Sequence, residues 1–308
     1  MRFQHFSFLA MGGPCSLQLF APDDHSLRRA AAAAQAEVQR IEAKYSRYRD
    51  DSVVSRINAS AGNAQGIEVD PETAALLDYA AAAHEQSDGL FDATSGVLRR
   101  AWDFKARKLP QQSQLDALLP LVGWDKLQWQ RPRLVLPLKG MELDFGGFGK
   151  EYAADRAAAA LIASGVSDAL VELGGDIRVL GPQPDGKPWR VGIRHPRAPD
   201  LPVAGVELRG GAIASSGDYE RYFELGGRRY SHILDPRSGW PIEGLASVSV
   251  LAEQCLVAGT ATTIAMLKGA QGRQWLEELG LPWMTVDAGG QVEGSIATAA
   301  PEPHELSS

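Results

Sequence analysis

The stretch that decides the fold is "MELDFGGFGKEYAADRAAAALIAS", residues 141–164. Its first five residues alternate as in a strand, and the run from Lys150 onward is rich in alanine and other helix formers. Gly146 and Gly147 separate the two. Glycines at such a junction let main-chain N–H groups approach a ligand, and the helix dipole favours an anion there. We predict a strand–turn–helix unit that either binds an anion beside Lys150 or only allows tight packing.

Strands and helices alternate on both sides of this unit. Predicted helices cover "HSLRRAAAAAQAEVQRIEAKYSRY", "PETAALLDYAAAAHEQS", "AGTATTIAMLKGA" and "QWLEEL", and predicted strands cover "CSLQLFA", "DALVEL", "WRVGI", "PVAGVEL", "ASVSVLA" and "PWMTVD". This order predicts one compact α+β unit over residues 1–298, in which residues 70–135 could form a helical lobe. The Pro, Glu and Ser-rich tail, residues 299–308, is predicted to be disordered.

Composition excludes several classes of function. A net charge of −7 argues against nucleic acid as the main partner, although one basic pocket remains compatible with it. We expect no membrane span, because no run of about 18 apolar residues occurs. The N-terminus is a poor secretory signal, which favours the cytoplasm. The two cysteines, Cys15 and Cys255, form no local motif and are expected to be buried, reduced thiols.

Polar residues gather at the predicted junctions. "VELGGDI" places two glycines before Asp176, and "ASSGDYERYF" places Ser215 and Ser216 beside Asp218. Small hydroxyl residues with glycine suit a phosphate contact, but they suit a plain turn equally well. Tyr48 in "YSRYRDD" could stack on a flat heterocycle or pack at a helix end.

The segment "RYSHILDPRSGWP", residues 229–241, holds an imidazole and a carboxylate three positions apart. Pro236, Gly239 and Pro241 prevent it from continuing as a helix. On this segment alone, Asp235 could simply cap a turn while His232 fills a gap, or the turn could present His232 for chemistry.

Taken in order, these segments resemble the ApbE family, the FAD:protein FMN transferases, over about residues 8–290. The resemblance is carried by "MGGPCSLQL", "SRYRDDSVVSRIN", "GLFDATSGVL", "LDFGGFGKEYAAD", "LGGDI", "AIASSGDYERYF" and "YSHILDPRSGWP". The His-x-x-Asp-Pro-x-x-Gly-x-Pro string is the most diagnostic. The resemblance implies a single T-fold-related α+β unit with mixed, largely antiparallel sheets flanked by helices.

The resemblance also implies a reaction. Family members use Mg²⁺ and FAD to place FMN on a Thr or Ser hydroxyl of an acceptor protein, usually a subunit of a redox complex, and release AMP. His232 resembles the proposed catalytic base, which needs a pKa near the working pH. The implied flavin-dinucleotide contacts are Met11, Tyr48, Leu90, Phe91, Asp92, Asp144, Lys150 and Ile233. The implied metal positions are the main-chain oxygen of Gly147, position 259 and Thr263.

The chain departs from the family pattern at position 259, where Gly259 replaces a metal-ligating Asp. Mg²⁺ prefers charged oxygen ligands, so the loss should weaken its binding unless Asp176, Asp218 or Glu253 substitutes. Ser231 and Glu151 also stand at positions that the family varies or fills with Gly. Two alternatives therefore stay open: an FAD pyrophosphatase that yields FMN and AMP, and a non-catalytic FAD-binding protein.

Overall fold

A computed structural model describes residues 1–198 and 201–298. The strands are β1 (Arg2–Ala10), β2 (Gly13–Ala21), β3 (Ile67–Glu68), β4 (Gln128–Gln130), β5 (Arg133–Val135), β6 (Ala169–Leu173), β7 (Asp176–Val179), β8 (Trp189–Arg194), β9 (Pro202–Leu208), β10 (Gly211–Gly217), β11 (Tyr222–Leu225), β12 (Arg228–Ser231), β13 (Leu245–Ala252), β14 (Trp283–Asp287) and β15 (Val292–Gly294). The α-helices are α1 (Asp24–Tyr45), α2 (Val53–Ala59), α3 (Pro71–Gln86), α4 (Gln112–Leu118), α5 (Gly149–Ala163), α6 (Cys255–Lys268) and α7 (Gly272–Leu279). The predicted disordered tail, residues 299–308, lies outside the described residues.

One large sheet organises the chain. It has eight strands in the order β1-β2-β6-β7-β10-β13-β14-β15, and each neighbouring pair is antiparallel. Small antiparallel sheets β3-β5-β4, β8-β9 and β11-β12 accompany it. This arrangement confirms the predicted α+β class with largely antiparallel sheets.

Helices α1 and α5 pack on the large sheet through small side chains. In β2, Leu17 and Leu19 are fully buried, as the alternating pattern of "CSLQLFA" predicts. They share one core cluster with Ala34 of α1 and with Ala153 and Ala157 of α5. Alanine carries no long side chain, so the two helices approach each other closely over the sheet. This packing fixes the start of α5 at the end of the sheet.

The predicted strand "MELDF" is wrong, because residues 141–145 join no sheet. The main-chain groups of Leu143 bond instead to the side chain of Asn58, which donates to the carbonyl at 3.0 Å and accepts from the N–H at 2.6 Å. The N–H of Asp144 donates to the carbonyl of Ala93 at 2.8 Å. The Asn58 side chain thus makes the hydrogen bonds that a neighbouring strand would otherwise make. The helix that follows, α5, begins as predicted.

The proposed helical lobe at residues 70–135 contains α3 and α4 together with the short strands β4 and β5. Leu77 and Ala80 of α3 belong to the same core cluster as β2 and α5. The boundary of a single unit at residues 1–298 stays a prediction.

Cys15 and Cys255 are both buried and unpaired, as expected. Across residues 1–198 and 201–298, each helix is too short or too polar to cross a bilayer.

A carboxylate on α5 fixes the start of α6. The two oxygens of Asp155 accept from the main-chain N–H groups of Cys255 and Leu256, each at 2.9 Å. Arg178 of β7 pairs with the same carboxylate at 3.2 Å. Since the first N–H groups of a helix have no partner within it, this contact satisfies two of them and ties α6 to α5.

Replacing Asp155 by Ala should lower the free energy of unfolding by about 1–2 kcal/mol, the usual cost of losing a helix N-cap. Urea unfolding followed by circular dichroism measures the change. Asp116→Ala, which removes an exposed carboxylate of α4, is the matched control and should change stability by less than about 0.5 kcal/mol. Equal effects in the two variants would contradict the assigned role of Asp155.

Candidate functional site

The candidate site forms where several turns meet the start of α5. The glycine turn at 146–149 leads into α5, and the turn between β6 and β7 lies beside Lys150. The N–H of Gly174 in that turn donates to the carbonyl of Pro14 at 3.1 Å, which brings in the β1–β2 hairpin. Met11 occupies the tip of this hairpin with a positive φ of 55°.

Lys150 and Asp176 form the central ion pair of the site. The Lys150 Nζ lies 2.8 Å from Oδ2 of Asp176, whose carboxylate is buried at the start of β7. The other oxygen, Oδ1, accepts from the N–H of Ser215 at 3.4 Å. Burial by itself lowers the pKa of Lys150, but the negative charges of Asp176 and Glu151 outweigh it and raise the pKa. Lys150 is therefore an ammonium ion at neutral pH.

Glu151, the next residue of α5, faces Gly259 of α6. A Cβ added to Gly259 would lie 2.6 Å from Oε1 and 2.8 Å from Cδ of Glu151, closer than side chains approach one another. The Glu151 side chain is buried, and its Oε2 has no hydrogen-bond partner among the described residues. Burial raises the pKa of Glu151, and the Asp176 carboxylate raises it further. Glu151 therefore fills the space that a side chain at position 259 would need.

Hydroxyl groups of α6 and β10 meet beside this pair. The Ser216 Oγ lies 2.8 Å from Oγ1 of Thr262 and 3.3 Å from Oγ1 of Thr263. Thr263 follows Gly259 by four residues, so the two positions share one face of α6. Thr262 also donates to the carbonyl of Gly259 at 2.8 Å. The face of α6 that meets Glu151 thus carries oxygen donors.

The donor set fits a hard cation. Within the part of the chain that the structure describes, no three His, Cys, Asp or Glu side chains come together as a metal cage. A metal ion here would depend on hydroxyl and main-chain oxygens, on water and on substrate phosphates. Such a set is compatible with Mg²⁺, which keeps several waters and binds through few protein oxygens. The partnerless carboxylate oxygen of Glu151 is consistent with a cation site at this place.

Tyr48 and Asp144 come together through Arg47. The Arg47 guanidinium pairs with Asp144 and donates to the Tyr48 hydroxyl at 2.8 Å, and it lies 4.9 Å from the centre of the Tyr48 ring. Asp144 also accepts from the N–H of Gly146 at 2.9 Å, which holds the glycine turn. The bond from Arg47 lowers the pKa of Tyr48. Tyr48 is 78% exposed, so its ring is available for stacking.

Asp92 uses its carboxylate within the protein. Oδ1 accepts from the N–H and Oγ1 of Thr94 at 2.7 and 2.6 Å, and Oδ2 accepts from the N–H of Trp124 at 2.9 Å. Phe91 is buried, and a Cβ on Gly147 would lie 3.1 Å from its ring. A ligand contact in this loop would therefore fall to main-chain groups of Leu90, Phe91 and Asp92, and the packing of Phe91 positions Gly147.

His232 follows β12, where its N–H donates to the carbonyl of Arg221 at 2.9 Å. The His232 side chain is exposed, yet desolvation by the surrounding protein lowers its pKa below the usual 6.5, and the positive charges of Arg221 and Lys150 lower it further. The ammonium of Lys150 therefore lies near enough to His232 to affect its protonation. The resemblance led us to expect a pKa near neutrality, and desolvation by the surrounding protein with two neighbouring cations explains the lower value.

The rest of the segment at 229–241 is a capped turn. Asp235 Oδ1 accepts from the N–H of Arg237 at 2.8 Å, and the Asp235 N–H donates to the carbonyl of Trp240 at 2.8 Å. The carbonyl of Ile233 accepts from Ile242 at 3.1 Å. Asp235 thus has the structural role that one interpretation of the sequence gave it, and the turn presents His232.

The three residues suggested as substitutes for the missing Asp differ in their surroundings. Asp218 is engaged by Arg197 at 2.6 Å and by Arg229 at 3.3 Å. Asp176 is paired with Lys150, and Glu253 is exposed. The carboxylate that faces Gly259 belongs to Glu151. The sequence offered one signal for it: Glu151 and Gly259 both depart from the same family pattern.

Replacing Lys150 by Met should lower the free energy of unfolding by about 3 kcal/mol, because it leaves the carboxylate of Asp176 buried without its cation. Lys187→Met is the matched control, since Lys187 forms an ion pair of the same length, 2.8 Å, with exposed Asp185. An exposed pair contributes less than about 1 kcal/mol. Guanidinium unfolding of both variants tests the prediction, and a Lys150→Met protein as stable as Lys187→Met would contradict it.

The sequence profile of the ApbE family matches residues 11–285. An FAD:protein FMN transferase of Rhodobacter capsulatus is 38% identical over 226 residues, which are 70% of this chain and 42% of that protein. The match thus spans less than half the length of that relative. An FAD:protein FMN transferase of Vibrio cholerae is 32% identical over 240 residues, 76% of this chain and 72% of the relative.

The fold matches solved structures over nearly its full length. The crystal structure of the ApbE protein from Thermotoga maritima superposes with a TM-score of 0.88 at 31% identity, and it covers 96% of this chain and 97% of its own.

Proposed function

This chain belongs to the ApbE family of flavin transferases, and from that premise we propose that it transfers the FMN part of FAD to a Thr or Ser hydroxyl of an acceptor protein and releases AMP. The proposal is supported chiefly by the Lys150–Asp176 ion pair, which adjoins the hydroxyl-bearing residues of β10, and by the charge of Lys150, which lowers the pKa of the His232 imidazole. An anion site, a base and room for a metal are the parts that phosphoryl transfer requires.

The pyrophosphate of FAD would lie at the start of α5. Among the described residues, no side chain caps the N-terminus of this helix. The N–H of Gly149 donates to the carbonyl of Phe145 at 2.7 Å, so the N–H of Lys150, the next in the first turn, would meet the anion. Lys150 adds a full positive charge in the first turn of α5. Because Asp176 holds the ammonium in place at 2.8 Å, little reorganisation is needed when a phosphate arrives.

The isoalloxazine ring would stack on Tyr48. This side chain is exposed, and Arg47 restrains it from one side. An aromatic face offers a flat apolar surface to a flat heterocycle. The hairpin tip at Met11 and the main chain of Leu90, Phe91, Asp92 and Ile233 would complete the contacts with FAD.

In the reaction, the acceptor hydroxyl oxygen attacks the phosphorus of the FMN half. A new P–O bond forms, the bond from that phosphorus to the bridging oxygen breaks, and AMP leaves with the bridging oxygen. His232 takes the hydroxyl proton and returns it to solvent, which its open position permits. Lys150 stabilises the negative charge that develops on the phosphate oxygens.

The residues present fit Mg²⁺, with the main-chain oxygen of Gly147 and the hydroxyl of Thr263 as proposed holders. When bound, Mg²⁺ would neutralise charge on the pyrophosphate. Gly259 brings no side-chain oxygen, and its carbonyl already accepts from Thr262. The proposed acceptor is a subunit of a redox complex.

Incubation of the chain with FAD, Mg²⁺ and a candidate acceptor domain should add the mass of one FMN moiety to the acceptor, with one AMP released per flavin. Intact-protein mass spectrometry and AMP chromatography measure the two products. Release of AMP and FMN without an acceptor would instead indicate an FAD pyrophosphatase, to which the solvent-open His232 is suited. FAD binding with neither product would indicate a non-catalytic binding protein and contradict the proposal.

His232→Asn should lower kcat by about 10²–10⁴-fold, the usual contribution of a general base, and leave FAD affinity within about twofold. His25→Asn, an exposed position in α1, is the control and should not change kcat. An unchanged kcat in His232→Asn would remove this residue from the mechanism.

The pH dependence should follow the lowered pKa of His232. An imidazole accepts a proton only in its neutral form, and here that form persists below pH 6.5. The value of kcat/KM, which reports groups of the free enzyme, should therefore stay level as the pH falls from 8 to 6.5 and decline only below that value. An acidic limb centred above pH 6.5 that disappears in His232→Asn would contradict the assignment.

A further inference from the structure

Glu151 and Gly259 share one space between α5 and α6. A side chain at position 259 would begin within 2.6 Å of Oε1 of Glu151, so the two positions cannot both carry a side chain in this arrangement. The family pattern has Asp at position 259 and varies position 151 or fills it with Gly, whereas this chain has Gly at 259 and Glu at 151. In this chain the space between α5 and α6 therefore still contains one carboxylate, and that carboxylate comes from α5 instead of α6.

Among the described residues, the Glu151 carboxylate forms no ion pair, and the Lys150 ammonium acts on it only at longer range. Asp176 is matched by Lys150 at 2.8 Å, and Asp218 by Arg197 and Arg229. The Oε2 of Glu151 is buried and without a hydrogen-bond partner among the described residues. An unpaired buried carboxylate is costly, and a bound cation would remove the cost.

The surroundings of this carboxylate carry the other oxygen donors. Thr263 lies one turn beyond Gly259 on the same face of α6, and its hydroxyl is held by Ser216 at 3.3 Å. Gly147 lies four residues before Glu151, in the glycine turn that leads into α5. The two hydrogen bonds that Asp155 of α5 accepts from the start of α6 hold the two helices in a fixed relative position. Glu151 therefore stays opposite residue 259.

We propose that Glu151 is the metal-ligating carboxylate of this protein and replaces the Asp that the family places at position 259. The longer side chain of Glu, starting from α5, brings its oxygens to the space that an Asp on α6 would occupy. This inference rests on the proposed function for the identity of the ion, Mg²⁺. The competing explanation is that Glu151 is a neutral acid that only fills the gap beside Gly259.

The direct test is a titration with Mn²⁺, the paramagnetic substitute for Mg²⁺, followed by electron paramagnetic resonance on the full chain with FAD bound. Glu151→Gln keeps the shape of the side chain and should weaken Mn²⁺ binding at least about tenfold, because even groups that merely orient ligands cost 10- to 100-fold. Glu277→Gln, the same exchange at an exposed position of α7, should bind Mn²⁺ within about twofold of the parent. Glu151→Gln with parental Mn²⁺ affinity would overturn the proposal, as would a parent that binds no Mn²⁺.

Two further variants distinguish the loss of a metal ligand from a folding defect. Glu151→Gly alone should lose Mn²⁺ affinity, and Glu151→Gly with Gly259→Asp should regain it to within about threefold, since the carboxylate returns from α6. Gly259→Asp alone should lower the melting temperature, because Glu151 occupies the space. A double variant that folds, judged by circular dichroism, but binds Mn²⁺ no better than Glu151→Gly would contradict the exchange.

The outcomes separate this inference from the proposed function. If the parent binds Mn²⁺ through Glu151 but modifies no acceptor, the assignment of Glu151 as a metal ligand stands and the proposed transferase function fails. If the parent transfers FMN while Glu151→Gln binds Mn²⁺ normally, the transferase function stands and the assignment of Glu151 fails.

Discussion

Two buried carboxylates, Asp176 and Glu151, lie beside one ammonium group, Lys150, at the start of α5. Lys150 contacts Asp176 directly, so the charge of Glu151 is left without an ion-pair partner in the described chain. Burial penalises an isolated carboxylate heavily, and the carboxylate must therefore be protonated or bound to a cation. The proposed site follows from this constraint: an anionic substrate would meet Lys150, and a cation would meet Glu151.

The fold brings these groups together from distant parts of the chain. The antiparallel ladder of β6 and β7 delivers Asp176 after a glycine turn, and α5 delivers Lys150 and Glu151 in consecutive positions. Asp155, one turn further along α5, holds the first N–H groups of α6 and so sets the position of Gly259. The part of the site that holds Lys150, Glu151 and Gly259 is therefore built on packed helices and a sheet, and side chains on such elements are held more rigidly than side chains on loops.

Local sequence patterns predicted the elements well where one face is buried. The alternation in β2 and the alanine-rich face of α5 confirm this. The spacing of buried residues along a strand or helix can be recognised from neighbouring positions in the sequence. The strand predicted at 141–145 failed because Asn58, far away in sequence, satisfies its main-chain groups. The sequence also indicated Lys150 and His232 through their motifs. The contact of Glu151 with Gly259 joins two helices distant in the chain, and no local pattern contains such a pairing.

The position of the metal relative to Glu151 tests the account most directly. A crystal of the full chain grown with FAD and Mn²⁺ would show the metal by anomalous scattering. The account predicts an anomalous peak about 2 Å from a carboxylate oxygen of Glu151, within the first coordination sphere expected for a Mg²⁺-type ion. A metal bound to FAD phosphates and water alone, with Glu151 turned away from it, would contradict the account.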